Sequence, residues 1–500
     1  MLPPSGAGSL LPAKPVDSAL RDPRASGERR RQPAAAGRTP TVYKSVPCFY
    51  IKNFGCRATQ ADGAAIAQQL AMRGLAPAAD ARAADLVVLN TCTVTASAEE
   101  DARQAIRRVH RENPGCRILV TGCYAQRAPQ EVASLPGVGW VVGNSHKGEI
   151  GEIVAAGHNF VPLSSLAQAR IIIGDIFAHT ELEAAPVFGP GVERTRPTLK
   201  IQDGCNNRCS FCIIPSVRGL SRSLRPLAVI AQVRELERAG YREVVLSGIN
   251  LGRYGRDLKP RLTLAEVLRA ILNQTAVERI RLSSVEPMDF TDELLELMAG
   301  SRRFARHVHA PLQSGSDRVL RLMRRRYRAA DYQRRLGLAH QCLPNAAFGA
   351  DVMVGFPGET GEDFEQTRAL VARLPFTYLH VFTYSRREGT AAAGMPEAVD
   401  GRTARERNRI LRELAAAKNL EFRRRQLGCS LSVITLHDGS ALSDNYLKVR
   451  LAGPPLEPNR IVDARITAVE DDRLVGEVPP GGRRVNLPGS PGPGPAFGCV

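Results

Sequence analysis

Six of the eleven cysteines in this chain of 500 residues fall into two trios. Cys205, Cys209 and Cys212 are compact, in the run QDGCNNRCSFCIIP. Cys56, Cys92 and Cys123 are dispersed, and each follows an apolar, strand-like run within about four residues. A closed structural zinc site takes four ligands in a tetrahedron. An iron–sulfur cluster is likewise held by thiolates, commonly four, so a trio leaves one iron open to an outside ligand. Two trios therefore predict two iron–sulfur clusters, each with a position free for chemistry. A zinc knuckle is the competing reading of the compact trio, but it wants a fourth Cys or His close by. Three unrelated core cysteines compete for the dispersed one, since free Cys is often buried.

The elements around the dispersed trio argue for grouping it. From residue 46 to about 150 the strand-like runs CFYIKNF, DLVVLN, RILVTG and GWVVGN alternate with helical stretches. That βαβ rhythm predicts an α/β domain with a parallel sheet. Each cysteine, in an FGC, NTC or TGC turn, sits past the carboxyl end of a strand. Parallel strands put those ends on one edge, where open α/β sheets bind ligands.

A second βα series runs from 196 to about 400, with strand candidates TLKIQ, EVVLSG, RIRLSS, RHVHAPLQ, AFGADVMVGF and YLHVFTY. Six units predict a (β/α)6 partial barrel with its chemistry at the carboxyl ends of the strands. The cysteine loop follows the first strand, Gly248 to Asn250 the second, and Ser284 and Glu286 the third. Gln313 to Gly315, Gly355 to Glu359 and Ser385 to Arg387 follow the other three. Beyond a charged helix near 402–426, short alternating strands predict a small β-barrel. The organisation expected is a disordered arm over 1–45, a cluster domain over 46–160, a linker over 161–195, the barrel over 196–425, the small β-barrel over 426–486 and a disordered tail over 487–500. A mitochondrial presequence is the other reading of the arm; its prolines and the acids Asp17, Asp22 and Glu28 argue against the amphipathic helix this needs.

Hydrophobic content of 43% suffices for packed cores. No apolar run approaches the roughly 20 residues that span a bilayer, which predicts no membrane association. The odd cysteine count fits a reducing compartment, and the expected location is cytoplasmic. Lys and Arg number 68 against 50 Asp and Glu, a formal +18. Such a field suits a polyanion, because each cation near a phosphate releases a condensed counterion. An arginine-coated surface without such a partner is the alternative.

The compact trio, placed after a strand and opening six βα units, resembles the signature of the radical S-adenosylmethionine (SAM) enzymes. With the upstream trio the resemblance narrows to the methylthiotransferases and covers residues 46–486. Its motifs here are NFGCRATQADG, VLNTCTVTASAEEDARQAIRR and LVTGCYAQ, then IIPSVRGLSRS, SGINLGRYG, RLSSVEP, HAPLQSGSDRVLRLMRRRY, DVMVGFPGET and YSRREGTAAAGMP. Arg57-Ala58-Thr59 departs from the Lys-Val-Asn-like triplet common in the family. The resemblance implies an amino-terminal cluster domain, a radical SAM barrel and a carboxyl-terminal TRAM domain, the last resting on Ser443 to Tyr446 and Asn459.

It further implies two 4Fe-4S clusters. The one on Cys205, Cys209 and Cys212 would bind SAM and release a 5′-deoxyadenosyl radical on reduction. The one on Cys56, Cys92 and Cys123 would hold the sulfur that is methylated and inserted. SAM contacts are expected at Gly248, Asn250, Ser284, Glu286, Gln313 and Gly355. Arg218 and Arg222, in the segment after the cluster loop, are candidate cations for a substrate phosphate or carboxylate, and Asn445 and Tyr446 for further substrate contact. The partners implied are tRNA, an electron donor of flavodoxin or ferredoxin type and a sulfur source.

Three branches share this chemistry, acting on isopentenyl-type adenosine, threonylcarbamoyl-type adenosine or a ribosomal-protein aspartate. GINLGRYG resembles the threonylcarbamoyl version, and HAPLQSGSD argues against the ribosomal-protein one. Arg302, Arg303, Arg324, Arg325, Arg326, Arg328 and Arg423 to Arg425 are candidate tRNA contacts or solvated helix faces. A redox-sensing RNA-binding protein is the reading from another class, though a sensor needs no SAM site. Cys48, Cys116, Cys342, Cys429 and Cys499 are expected to be structural or incidental.

Overall fold

The computed structural model describes residues 46–156, 169–179, 182 and 195–479. The expected arm and tail and most of the expected linker lie outside those residues.

The amino-terminal sheet contains β1 (Cys48–Asn53), β2 (Ala76–Pro77), β3 (Leu86–Thr91), β4 (Arg117–Gly122), β5 (Val138–Val142) and β6 (Arg170–Ile172). Their order is β2-β1-β3-β4-β5-β6, and every pairing is parallel. β3, β4 and β5 are buried along their whole length, which is why they read as continuous apolar runs. Period-two alternation feeds two cores. Val87, Leu89, Ile118 and Val120 meet Ala102 and Ile106 of the helix Ala96–Glu112. Leu86, Val88, Leu119 and Trp140 meet Ile66 and Leu70 of the helix Arg57–Met72. β6 falls within the stretch expected to be a linker; it hydrogen-bonds to β5 and extends the sheet.

The central domain contains β7 (Thr198–Asp203), β8 (Arg222–Ser223), β9 (Glu243–Gly248), β10 (Arg279–Leu282), β11 (His307–His309), β12 (Ala347–Val354) and β13 (Tyr378–Thr383). β7, β9 and β10 are parallel neighbours, as are β11, β12 and β13. An isolated parallel bridge, Ile280 to Phe304, joins the two groups into a six-strand partial barrel. The short β8 was not legible in the sequence; it runs antiparallel to β7. Phe348, Ala350, Val352 and Val354 pack outward in one core with Tyr332, Leu336, Leu370 and Val371 of the surrounding helices. The alternate residues Gly349, Asp351 and Met353 therefore face the barrel lumen.

After the helix Gly401–Arg424, a closed barrel contains β14 (Ser430–Thr435), β15 (Ala441–Ser443), β16 (Lys448–Leu451), β17 (Ile461–Val469) and β18 (Leu474–Glu477). One fully buried cation fastens it to the central domain. Arg281 pairs with Glu243 at 2.7 Å and donates to the carbonyls of Ser443 and Asp444, each at 3.1 Å.

Candidate metal centres

The dispersed trio assembles because three parallel strands end on one edge. Cys56 caps the helix Arg57–Met72, Cys92 follows β3, and Cys123 opens the helix Cys123–Arg127 directly after β4. Cys92 and Cys123 are buried and Cys56 is exposed. Glycine makes the approach possible. At Gly55 (φ +91°) a Cβ would stand 2.7 Å from Cys92 Cβ and 2.8 Å from its Sγ. Burial pushes the Cys92 thiol up to about 12, and the neighbouring sulfur charges of Cys123 and Cys56 add to that. Donors already aim at Cys123 Sγ: Arg218 Nε at 3.3 Å and Asn144 Nδ2 at 3.6 Å.

The compact trio rides on the loop that leaves β7. At Gly204 (φ +70°) a Cβ would lie 1.9 Å from the Leu220 carbonyl oxygen, so the turn has no room for a side chain. Cys205 N–H donates to Gly219 O at 3.1 Å, and Ser210 Oγ to Leu322 O at 2.7 Å, which pin the loop at both ends. Cys205 Sγ accepts from the Asn207 N–H at 3.4 Å and from Asn250 Nδ2 at 3.6 Å. Cys209 Sγ accepts from Arg325 Nη1 at 3.5 Å. Burial lifts Cys212 to about 12, with Cys209 and Cys205 adding to it.

This chemistry fits a cationic cluster at each trio. The thiols are free, they converge closely enough to oppose one another's ionisation, and N–H donors stand ready for the sulfur charge that metal binding creates. Beside Cys205, Asn250 Oδ1 is buried and has no hydrogen-bond partner among the described residues. It is an acceptor available to an amino group at the open cluster position.

The two loops touch. Cys123 packs in one cluster with Ile213 and Val217, and Ile213 directly follows Cys212. Between them lies a buried charge network. Arg218 holds both oxygens of Asp203 (3.0 and 3.1 Å) and Asp62 Oδ2 (2.9 Å). Lys147 reaches Asp62 at 2.9 Å, and Lys200 reaches Asp203 at 2.7 Å. Burial alone would raise the Asp203 carboxyl, but Arg218 and Lys200 outweigh it and hold the group ionised. A second contact ties the last barrel strand to the amino-terminal domain. Glu99 accepts from Arg127 at 2.8 Å and Arg387 at 3.0 Å, and the Ala96 N–H donates to Ser385 Oγ at 3.0 Å.

The residues expected near SAM lie around the mouth of the barrel with varied partners. Gln202 Oε1 accepts from the Asn250 N–H at 2.7 Å, and a Cβ on Gly248 would meet that oxygen at 2.9 Å. Ser284 Oγ is 2.7 Å from His309 Nδ1. Glu286 is doubly bonded to Arg325, with one contact at 3.1 Å. Gln313 (φ +67°) bridges to β12, and Gly355 (φ +72°) donates to Glu359 Oε2 at 2.6 Å.

Three of the four expected substrate residues are placed inside the protein, and Tyr446 is half-buried. Arg218 is 2% exposed and occupied by the network above, so its guanidinium faces the cluster loops instead of solvent. Arg222 is buried near Asp203 and donates to His179 O at 3.2 Å. Asn445 is buried against Ser443 and Gln426. Tyr446 lies 4.5 Å ring to ring from His307 and accepts from Arg57 at 3.1 Å. Arg325, Arg303 and Arg423 are also spent internally: Arg303 donates to Val277 O (2.7 Å) and Leu272 O (2.8 Å), and Arg423 to Glu470 O and Asp471 O. Arg302, Arg324, Arg326, Arg328, Arg424 and Arg425 are exposed.

The lumen wall between these sites is aromatic. His307, His309, Tyr378, His380 and Phe382 lie along β11 and β13, with neighbouring rings 5.3–6.4 Å apart. Sequence reading missed this wall, although HVH and YLHVF carry it at period two.

Residues 199–371 match the Radical SAM superfamily, and residues 48–143 match the uncharacterized protein family UPF0004. The chain is 36% identical to the threonylcarbamoyladenosine tRNA methylthiotransferase MtaB of Aquifex aeolicus, over 80% of this chain and 96% of that one. It is 38% identical to the Bacillus subtilis protein of the same name, over 82% and 92%. To the tRNA-2-methylthio-N(6)-dimethylallyladenosine synthase of Carboxydothermus hydrogenoformans it is 34% identical, over 81% and 90%. Among solved structures, the radical SAM methyltransferase TsrM of Kitasatospora setae superposes with a TM-score of 0.52 at 14% identity, over 70% of this chain and 75% of that one, a likeness of fold. With two thiol trios on facing loops and relatives of this kind along most of its length, the chain belongs to the radical SAM methylthiotransferases, on the MtaB-type branch.

Proposed function

We propose that this protein is a tRNA methylthiotransferase that places a methylthio group on C2 of threonylcarbamoyladenosine. The observation that carries the reading is the pair of thiol trios on touching loops, joined through Arg218. In this reading Cys205, Cys209 and Cys212 hold the SAM-binding cluster, and Cys56, Cys92 and Cys123 hold the sulfur-bearing one. When bound, these groups supply the radical and the sulfur that no side-chain acid or base provides for an unactivated C–H.

The chain's own residues do the positioning. Asn250 offers an unpartnered acceptor beside Cys205, and Arg325 fixes Glu286 at the mouth of the barrel. Phe382, exposed near the end of β13, gives a purine a face to stack on. The exposed arginines of 302–328 and 424–425 suit tRNA phosphates. Support for the threonylcarbamoyl branch comes from the MtaB relatives and from GINLGRYG. An electron donor of flavodoxin or ferredoxin type, a sulfur source and a cytoplasmic setting belong to the same reading. No helix among the described residues is long and apolar enough to cross a membrane.

The test is mass spectrometry of tRNA nucleosides from a host without its own methylthiotransferases, with and without this protein. The methylthio form of threonylcarbamoyladenosine should appear. Modification of isopentenyladenosine alone would keep the chemistry and overturn the branch; change in neither would overturn the tRNA reading.

A further inference from the structure

Three side chains on the lumen face of β11, β12 and β13 converge outside both thiol trios. His309 pairs with Gly349 in the β11–β12 ladder, and Asp351 pairs with His380 in the β12–β13 ladder. Gly349 and Asp351 share a face, so all three side chains project the same way. One ligand atom from each lies within 4.8 Å of the others. Asp351 Oδ1 stands 3.4 Å from His309 Nε2 and 3.1 Å from His380 Nδ1.

Those lengths match what a metal requires. With zinc bonds of about 2.0–2.1 Å, ligand atoms in a tetrahedron stand about 3.3 Å apart. Two of the three edges already have that length. The third is the wider one, and His380, whose side chain is 52% exposed, is the arm free to close it.

The outer shell points the same way. Ser284 Oγ, 2.7 Å from His309 Nδ1, holds that ring and turns Nε2 toward the carboxylate, as partners of metal-binding histidines do. His309 is 5% exposed, yet its Nε2 has no hydrogen-bond partner among the described residues. A relay of imidazole, carboxylate and imidazole would leave His309 Nε2 with only the longer 3.4 Å contact to Asp351, against 3.1 Å for His380. A cation satisfies that nitrogen. Two imidazoles and one carboxylate suit zinc or a similar transition metal better than calcium or magnesium.

We propose that His309, Asp351 and His380 bind a divalent transition-metal ion of the zinc class in the barrel lumen, distinct from both iron–sulfur sites. Three protein ligands leave a position open toward the lumen, as in catalytic zinc sites, for an oxygen donor such as a carboxylate or carbonyl of a lumen-bound molecule.

The test uses the full chain with both clusters reconstituted under anaerobic conditions, so that the cysteine trios are filled. Zinc(II) is titrated by calorimetry and bound metal counted after desalting; cobalt(II) serves as the visible-absorption probe. One zinc per chain is expected beyond the iron, with a four- or five-coordinate cobalt spectrum that zinc displaces. D351N and H380A should abolish both signals while keeping the full iron content, and H437A, at an exposed histidine of the small barrel, should keep them. S284A should weaken zinc affinity by about 10-fold or more. No stoichiometric zinc, or zinc retained in both D351N and H380A, would overturn the site. Because His380 is half exposed, its variant tests the proposal even if D351N does not fold.

Discussion

Arg218 Nε lies 3.3 Å from Cys123 Sγ, although the arginine belongs to the central domain and the cysteine to the amino-terminal one. The same guanidinium spans Asp203 and Asp62, so one side chain couples the two thiol-bearing edges. Substitution Arg218→Gln leaves the two buried carboxylates with Lys147, Lys200 and the more distant Arg222. Removing one partner of such a network costs about 3–5 kcal/mol. A lower Tm and loss of iron are expected, measured by calorimetry and metal analysis, with Arg218→Lys restoring charge but not the three-way contact.

Cys92→Ala and Cys212→Ala should each abolish nucleoside modification and each remove the iron of one trio only. Iron and sulfide analysis of both variants checks this. Cys116→Ala, in the core and away from both trios, should retain activity with a stability loss of about 1 kcal/mol.

Gly55→Ala and Gly74→Ala separate strain from collision. Both glycines have positive φ, but an added Cβ at Gly74 meets nothing within 4 Å, whereas at Gly55 it meets Cys92. Gly74→Ala should cost only about 1–2 kcal/mol of backbone strain. Gly55→Ala should also reduce iron at the dispersed trio, read against the same metal analysis.

Arg281→Met should loosen the carboxyl-terminal barrel, which Arg279 and Asn459 still tie to the central domain. The arginine is fully buried and bonds Glu243 to the carbonyls of Ser443 and Asp444, while Glu243 keeps Arg279 at 3.4 Å. Loss of about 3–5 kcal/mol is expected. Faster hydrogen exchange in β15 and β16, with weaker tRNA binding, would report it.

Exposed and internal arginines should differ in salt dependence. Arg326→Ala and Arg328→Ala should each lower the slope of log affinity against log salt by about 0.9 if they contact phosphate. Arg303→Ala should lower stability and leave the slope alone, because its guanidinium is tied to two carbonyls.

β3, β4 and β5 were legible because burial on both faces writes them as apolar runs, and the strands of the small barrel because they alternate. Both trios stood out because one residue type recurs in three strand-end turns and in one compact loop. β2, β8 and β15 were not legible, because these two- and three-residue pairings lie in no longer apolar or alternating run. The roles of Arg218 and Arg325 were hidden for another reason. A buried, paired arginine and a solvent-facing one are the same letter, and only the fold supplies Asp203, Asp62 and Glu286 as partners. The His309–Asp351–His380 grouping depends on strand register, which the chain does not spell out locally.

The packing of Cys123 against Ile213 also sets a concentration. Groups carried by loops that touch, in domains that Glu99 and Arg387 also tie together, meet without a diffusional search. Whatever passes between the two loops is then governed by the folded chain's own geometry, and diluting the protein should leave its single-turnover rate unchanged.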